Sequence, residues 1–346
     1  AATGKETTHL HARFLDEHTE EVFDLLAEML LAPTYPDIDS ERQVVIEEIA
    51  MYDDEPQDRV HDVLAEAVFG SHPLGRRVLG EPEVIASIPV PDIEGYRSAH
   101  YTGPQIVVGA AGHLEHERIV ALAERLVQPP AELNGATTNK EIDGGARLCF
   151  LNKETEQYHI CFGAPGLRRE DERRFPLAVL DAIFGGSTSS RLFREVREKR
   201  GLAYSVGSYN EQFTDLGLVA TYVGTRADNV EEACAIIGAE MARLRSEPVS
   251  NEELVRAKES VKGRLVLSSE STAARMTRIS RATLFGLPIE SLDEMLAKVD
   301  AIQVDDLTQL AAELYGAERL SAACVGADED RFRAALAPVS EALVAA

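Results

Sequence analysis

The sequence predicts an α+β protein of two homologous domains, each a mostly antiparallel sheet with helices packed on one face. Three observations predict it. The chain repeats itself: Ile38-Asp39-Ser40-Glu41 and Val249-Ser250-Asn251-Glu252 each open a long helical segment, with a second carboxylate seven residues on at Glu48 and Glu259. Strands and helices alternate in a pattern that is neither strict β-α-β nor all helix. Finally, 346 residues with 45% hydrophobic content can fill two cores.

The repeat continues beyond its opening. Phe69-Gly70 followed by Pro73 returns as Phe285-Gly286 followed by Pro288, Ile88–Ile93 as Ile302–Leu307, and Tyr101 as Tyr315. The offset stays between 211 residues (Ile38 to Val249) and 216 (Phe69 to Phe285). A period this long denotes tandem domains, not a solenoid. The predicted boundaries are 1–127 for the first domain and 147–346 for the second. Residues 128–146, with Pro-Pro, Asn-Gly and Gly-Gly pairs, read as the linker. About a hundred residues of the second domain precede Val249, whereas only a strand and a helix precede Ile38. With Ala1 in place of Met, the chain is expected to be a piece of a longer protein.

Element by element, residues 7–14 alternate as a strand, and apolar residues from Glu20 to Leu31 recur at helical spacing until Pro33 and Pro36 stop them. Asp39 or Ser40 caps the next helix, with a kink expected near Pro56. Helices near 82–88 and 91–99, a strand over 105–112 and a helix from Glu115 to Leu126 complete the first copy. In the second, strands are expected at 147–152, 157–163, 203–210 and 215–223. Helices are expected at 174–184, 189–199, 228–245, 251–267 and 270–284, and the strand Leu320–Gly326 closes the copy.

A net charge of −24 argues against nucleic acid, which needs basic surface, and fits either simple solubility or attraction of cationic peptides. No apolar run spans a membrane. Cys149, Cys161, Cys234 and Cys324 lack zinc-type spacing and read as buried reduced thiols.

Glu41 and Glu48 are two helical turns apart, hence on one face. From spacing alone a solvated acidic face is the simpler account. Two stacked carboxylates are also what a metal ligand and its supporting group require. The wider strings decide between them: Asp39–Tyr52, Phe69–Gly75 and Leu79-Gly80, with Gly186-Ser187-Thr188-Ser189-Ser190-Arg191-Leu192-Phe193 running into Val196–Val206. Over essentially its whole length the chain resembles the pitrilysin, insulinase and mitochondrial processing peptidase family of zinc metallopeptidases, in the style of its bacterial members.

The resemblance implies a zinc metalloendopeptidase. Glu48 would be the distal zinc ligand, Glu41 its supporting carboxylate, and Arg197 and Tyr204 would hold the substrate backbone and stabilise the tetrahedral intermediate. It also implies two histidines and a general base from an inverted His-x-x-Glu-His motif, absent from these 346 residues. The piece itself is thus expected to be inactive and not to retain zinc. Implied partners are a cationic peptide or small protein substrate and a homologous chain, as homodimer or heterodimer, in the bacterial cytoplasm. The rival reading is a non-catalytic homologous subunit or a peptide-binding scaffold. His113-Leu114-Glu115-His116 reads as a capped surface turn, His9 and His11 as ordinary strand residues, and Glu252 and Glu259 as relics of duplication.

Overall fold

In a computed structural model, residues 1–126, 142 and 145–346 are described. The chain runs β1 (Ala2–Thr3), β2 (Thr8–His9), α1 (Thr19–Leu31), α2 (Ile38–Asp54), α3 (Pro56–Phe69), α4 (Pro82–Ser87), α5 (Val90–His100) and α6 (His116–Glu124). It continues with β3 (Leu148–Asn152), β4 (Gln157–Gly166), α7 (Arg174–Phe184), β5 (Ala203–Gln212), β6 (Gly217–Arg226), α8 (Val230–Ser246), α9 (Asn251–Ser269) and α10 (Thr272–Leu284). The last elements are α11 (Leu292–Ala301), α12 (Val304–Leu314), β7 (Ser321–Gly326), α13 (Glu329–Ala334) and α14 (Glu341–Val344). The class is α+β. Most of the expected linker lies outside the described residues.

The described residues form two compact units that interleave the repeats. One holds 1–49, 78–126 and 266–290; the other holds 50–77, those from 142 to 265, and 291–346. So α3, from the first repeat, belongs with the sheet of the second. Its repeat counterpart α10 belongs with the first.

In the larger unit a five-stranded sheet runs β3-β7-β4-β6-β5, with only β3 and β7 parallel. Alternation along β4 divides its side chains between two cores. Tyr158, Ile160 and Phe162 meet α7, α8 and α12 through Leu177, Leu180, Phe184, Ile237, Leu307 and Leu310. On the other face, Cys161, Ala323, Val325 and Ala220 meet Val60, Leu64 and Val68 of α3.

Small residues allow that approach: a Cβ built on Gly163 would lie 3.0 Å from Leu64 Cδ2. Helix α3 opens on Pro56 at its first turn, so the expected kink is instead a break between two helices. Its C-terminal carbonyls are capped from the second repeat, Arg147 Nε donating to Ala67 O at 2.8 Å and Nη2 to Val68 O at 2.9 Å.

The smaller unit mirrors this packing with fewer contacts. A Cβ built on Gly109 would lie 1.8 Å from Ser280 Oγ, so α10 rests directly on the extended segment around residue 109. Arg42 Nη1 donates to Ile85 O at 2.8 Å and Nη2 to Ile88 O, joining α2 to the end of α4. Among its described residues only Ile49 and Leu122 are fully buried apolar side chains.

Two strands expected here are corrected. Residues 106–111 are extended but unpaired, and the strand expected over 7–14 shrinks to Thr8–His9 paired with β1. A strand needs a neighbour's ladder as well as an alternating pattern, and β1 and β2 are the only paired strands among the described residues of this unit.

One buried carboxyl makes the larger unit pH-sensitive. Asp181 at the end of α7 accepts from Ser208 Oγ of β5 at 2.5 Å. Burial pushes its carboxyl up to about 6, against the lowering pull of Ser208 and Arg264. A raised carboxyl binds its proton more tightly folded than unfolded, so its contribution is most favourable at low pH and is lost as pH rises towards and through 6. Asp181→Asn should therefore stabilise the protein at pH 7.5, on the order of 2–3 kcal/mol, with little change at pH 3.5, below the unfolded carboxyl's own range. Urea unfolding at the two pH values checks this.

Candidate functional site

The segment from Ser190 to Ser205 carries the recognisable string, and its backbone departs from ideal structure twice. Residues Phe193–Glu198 form a π-helix where the sequence pattern predicts α-helix over 189–199. Such widened turns cluster at functional sites because the extra residue reorients the side chains around it. Gly201, at φ +62°, then takes the left-handed conformation its type suits. Its N–H bonds Arg197 O at 3.0 Å, and Leu202 N–H bonds Val196 O at 3.0 Å. Thr225 Oγ1 (2.7 Å) and Asn229 Nδ2 (3.1 Å) both donate to Leu202 O and pin the exit.

The second irregularity is a register shift between Ala203 and Ser205, which pair with Thr225 and Gly224 of β6. Tyr204 is the residue left over. A bulge turns its side chain away from the sheet alternation, and Tyr204 is 79% exposed although it begins a strand. No residue-type signal marks either the π-turn or the bulge in the sequence.

These two insertions bring Arg197 and Tyr204 together, as the sequence reading paired them. The Arg197 guanidinium lies 4.3 Å from the Tyr204 ring centroid and 4.8 Å from that of Phe193, and its Nη1 donates to Tyr204 O at 2.9 Å. Stacking between two rings holds a planar cation in place without neutralising it. Among the described residues no carboxylate pairs with Arg197. A fixed guanidinium beside an exposed phenol offers donors to carbonyl oxygens of an extended peptide. Strand β5 is moreover an edge of its sheet.

Glu41 and Glu48 both lie on α2, exposed and without a side-chain partner among the described residues. Glu252 and Glu259 on α9 are solvated and ion-paired, with Arg256 at 3.5 Å and Lys262 at 2.8 Å. His113 is exposed and bonds Asp16 at 2.5 Å. The rings of His9 and His11 lie 5.8 Å apart on exposed chain.

A protein zinc ion needs three or four ligating side chains. The described residues hold no group of three His, Cys, Asp or Glu that could bind a metal. The residues present therefore do not make a zinc site, and Glu48 could supply one ligand at most. The cysteines are unpaired; Cys161, Cys234 and Cys324 are buried, and burial pushes their thiols up, away from the reactive thiolate.

Sequence reasoning missed a histidine–tyrosine cluster beneath α3. His61 Nδ1 lies 2.7 Å from Tyr209 OH, and His159 Nδ1 2.9 Å from Tyr222 OH. Burial lowers both histidine pKa values, against the raising pull of nearby carboxylates. The sheet register together with the packing of α3 on it brings these four residues together. Among the described residues no helix is long and apolar enough to cross a membrane.

The chain resembles known proteins over most of its length. A family model described as Insulinase (Peptidase family M16) matches residues 1–82, and one described as Peptidase M16 inactive domain matches residues 87–261. An uncharacterized zinc protease of Streptomyces coelicolor is 37% identical over 344 residues, covering 96% of this chain and 74% of the relative. An uncharacterized zinc protease of Bacillus subtilis, YmxG, is 36% identical over 317 residues, covering 91% and 77%. In fold, the chain is similar to the peptidase M16 inactive domain from Pseudomonas fluorescens. The TM-score is 0.81 at 20% identity, over 90% of this chain and 76% of that one. The chain belongs to the insulinase family of peptidases, family M16.

Proposed function

We propose that this chain supplies the substrate-holding part of a bacterial, cytoplasmic zinc metalloendopeptidase, with Arg197 and Tyr204 gripping the backbone of an extended peptide. The observation that carries this reading is Arg197 itself, stacked between Phe193 and Tyr204 yet paired with no carboxylate among the described residues. Evolution toward stability alone favours neutralising such a cation; leaving it free favours an incoming acceptor. The relatives' names support the zinc and the protease. The net charge of −24 supports a cationic peptide, and the free cysteines support a reducing compartment.

Within this reading Glu48 is a zinc ligand and Glu41 its supporting carboxylate, and zinc would supply Lewis-acid chemistry to the peptide carbonyl. Two further ligands must come from outside these 346 residues, so the chain by itself binds peptide without cutting it. A homologous second chain, identical or not, completes the proposed enclosure.

Zinc content and peptidase activity of the native gene product, measured beside Glu48→Gln, test the proposal. Stoichiometric zinc with activity, both lost in the variant, is the expected result. A native product that holds no zinc and cleaves nothing, yet binds peptide, overturns the enzyme and leaves a partner subunit. The chain's own contribution is separable: Tyr204→Phe should weaken binding of a fluorescent extended basic peptide about threefold to tenfold, the value of one neutral hydrogen bond.

A further inference from the structure

Ala203 is buried in the core built with α7, α8 and α12, and Val206, three positions on along β5, packs against the same core. Strict alternation would send residues three apart to opposite faces, so this stretch of β5 carries one residue too many. Packing on that face decides that a surplus residue exists. It does not decide which one: either Tyr204 or Ser205 could stand outside the ladder between Ala203 and Val206.

The carbonyl of Leu202 makes the choice. Thr225 of β6 stands opposite Ala203 in the ladder, and its Oγ1 donates to Leu202 O at 2.7 Å. Asn229 Nδ2 donates to the same oxygen at 3.1 Å. Thr225 is 1% exposed, so its hydroxyl has no bulk water to turn to. Asn229 stands at the N-cap of α8, where an asparagine side chain ordinarily accepts from the free N–H groups of the first turn, yet it makes no such bond. Both side chains are spent on one backbone oxygen. Arg197 Nη1 takes Tyr204 O at 2.9 Å, and between these two captured carbonyls the chain leaves the ladder.

We infer that Thr225 and Asn229 are positioning residues for the Arg197–Tyr204 pair: by holding Leu202 O they set the bulge at Tyr204 and keep its ring against the Arg197 guanidinium. Moving the surplus one residue on would draw Tyr204 into the ladder, on the face opposite Ala203, and leave Ser205 outside with no ring for Arg197 to stack on. The consequence for peptide binding rests on the reading of the pair as a peptide grip. The placement of Tyr204 stands without it.

Two measurements on the 346-residue protein test this. Fluorine NMR of protein carrying meta-fluorotyrosine reads the ring itself, with Tyr204 assigned through Tyr204→Phe, and anisotropy reads a fluorescent lysine–alanine peptide. Thr225→Val keeps the shape but not the donor, and should move the Tyr204 resonance and weaken the peptide about threefold to tenfold. Thr225→Ser keeps the donor and should match wild type in both. Thr225→Val with Asn229→Ala should exceed the product of the two single effects, because either donor alone still holds the shared carbonyl. Thermal unfolding of each variant confirms that it is folded, and Asn229→Ala, at a half-buried position, tests the carbonyl even if the buried Thr225 site tolerates no change. A role in packing alone predicts the reverse order, with valine harmless and serine damaging, and that result would overturn the inference. So would a Tyr204 resonance unmoved when both donors are gone. A resonance that moves as expected in a protein that binds no peptide would support the positioning and sink the peptide grip instead.

Discussion

Leu64→Ala should lower the stability of the larger unit by about 3–5 kcal/mol, the range for an aliphatic side chain removed from a packed core. Leu64 is fully buried, and its methyl carbons sit over Gly163 of β4, where no Cβ exists to move into the void. The hole therefore cannot collapse from the strand side. For a unit of this size the melting temperature should drop by roughly 10 °C. The location of the damage is the sharper test. Hydrogen exchange should rise in β4 (157–166) and β7 (321–326), which belong to the second repeat, although the mutation lies in the first. Unchanged protection in those strands, with an unchanged melting temperature, would mean that α3 does not cover this sheet.

Arg197→Ala should weaken binding of an extended basic peptide by about 10-fold to 100-fold, the loss of a charge-assisted hydrogen bond to a backbone carbonyl. The fold should survive, because the side chain has no carboxylate partner among the described residues and covers only the exposed faces of Phe193 and Tyr204. Arg197→Lys separates charge from geometry. An ammonium keeps the positive charge but cannot lie flat between two rings or present a planar fork, so an intermediate loss is expected. If the role were only to brace the loop through its 2.9 Å bond to Tyr204 O, the lysine variant would match wild type once the loop held. Anisotropy titrations of the two variants and of Tyr204→Phe distinguish these cases, and wild-type binding by Arg197→Ala would remove the residue from the site.

The two tests fall on either side of what the chain's pattern discloses. Several helices of the second repeat were legible because periodicity and capping act within a few residues: α7 and α9 begin where the apolar spacing and Ser250-Asn251 place them. The duplication was legible for a similar reason, since matched strings need no contact to be seen. Arg197, Tyr204 and Glu48 were named from a family string, and the structure adds the mechanism of presentation for the first two. The π-turn and the bulge that bring Arg197 against Tyr204 left no trace in residue type. Each is one residue of backbone slack, set by what the neighbouring strand and helix will accept.

By itself, then, the sequence determined the α+β class, the tandem repeat, several of the helices and the family, because all of these rest on local periodicity or on shared strings. Tertiary structure alone decided three things. It placed α3 on the second repeat's sheet and α10 with the first repeat, because Gly163 and Gly109 leave room for close approach. Among the described residues it reduced the first repeat's strands to one short pair, because a strand exists only where a neighbour completes its hydrogen bonds. And it left Arg191 Nη1 and Glu240 Oε2 buried without partners, because burial and pairing depend on distances between residues far apart in the chain, which no spacing rule contains.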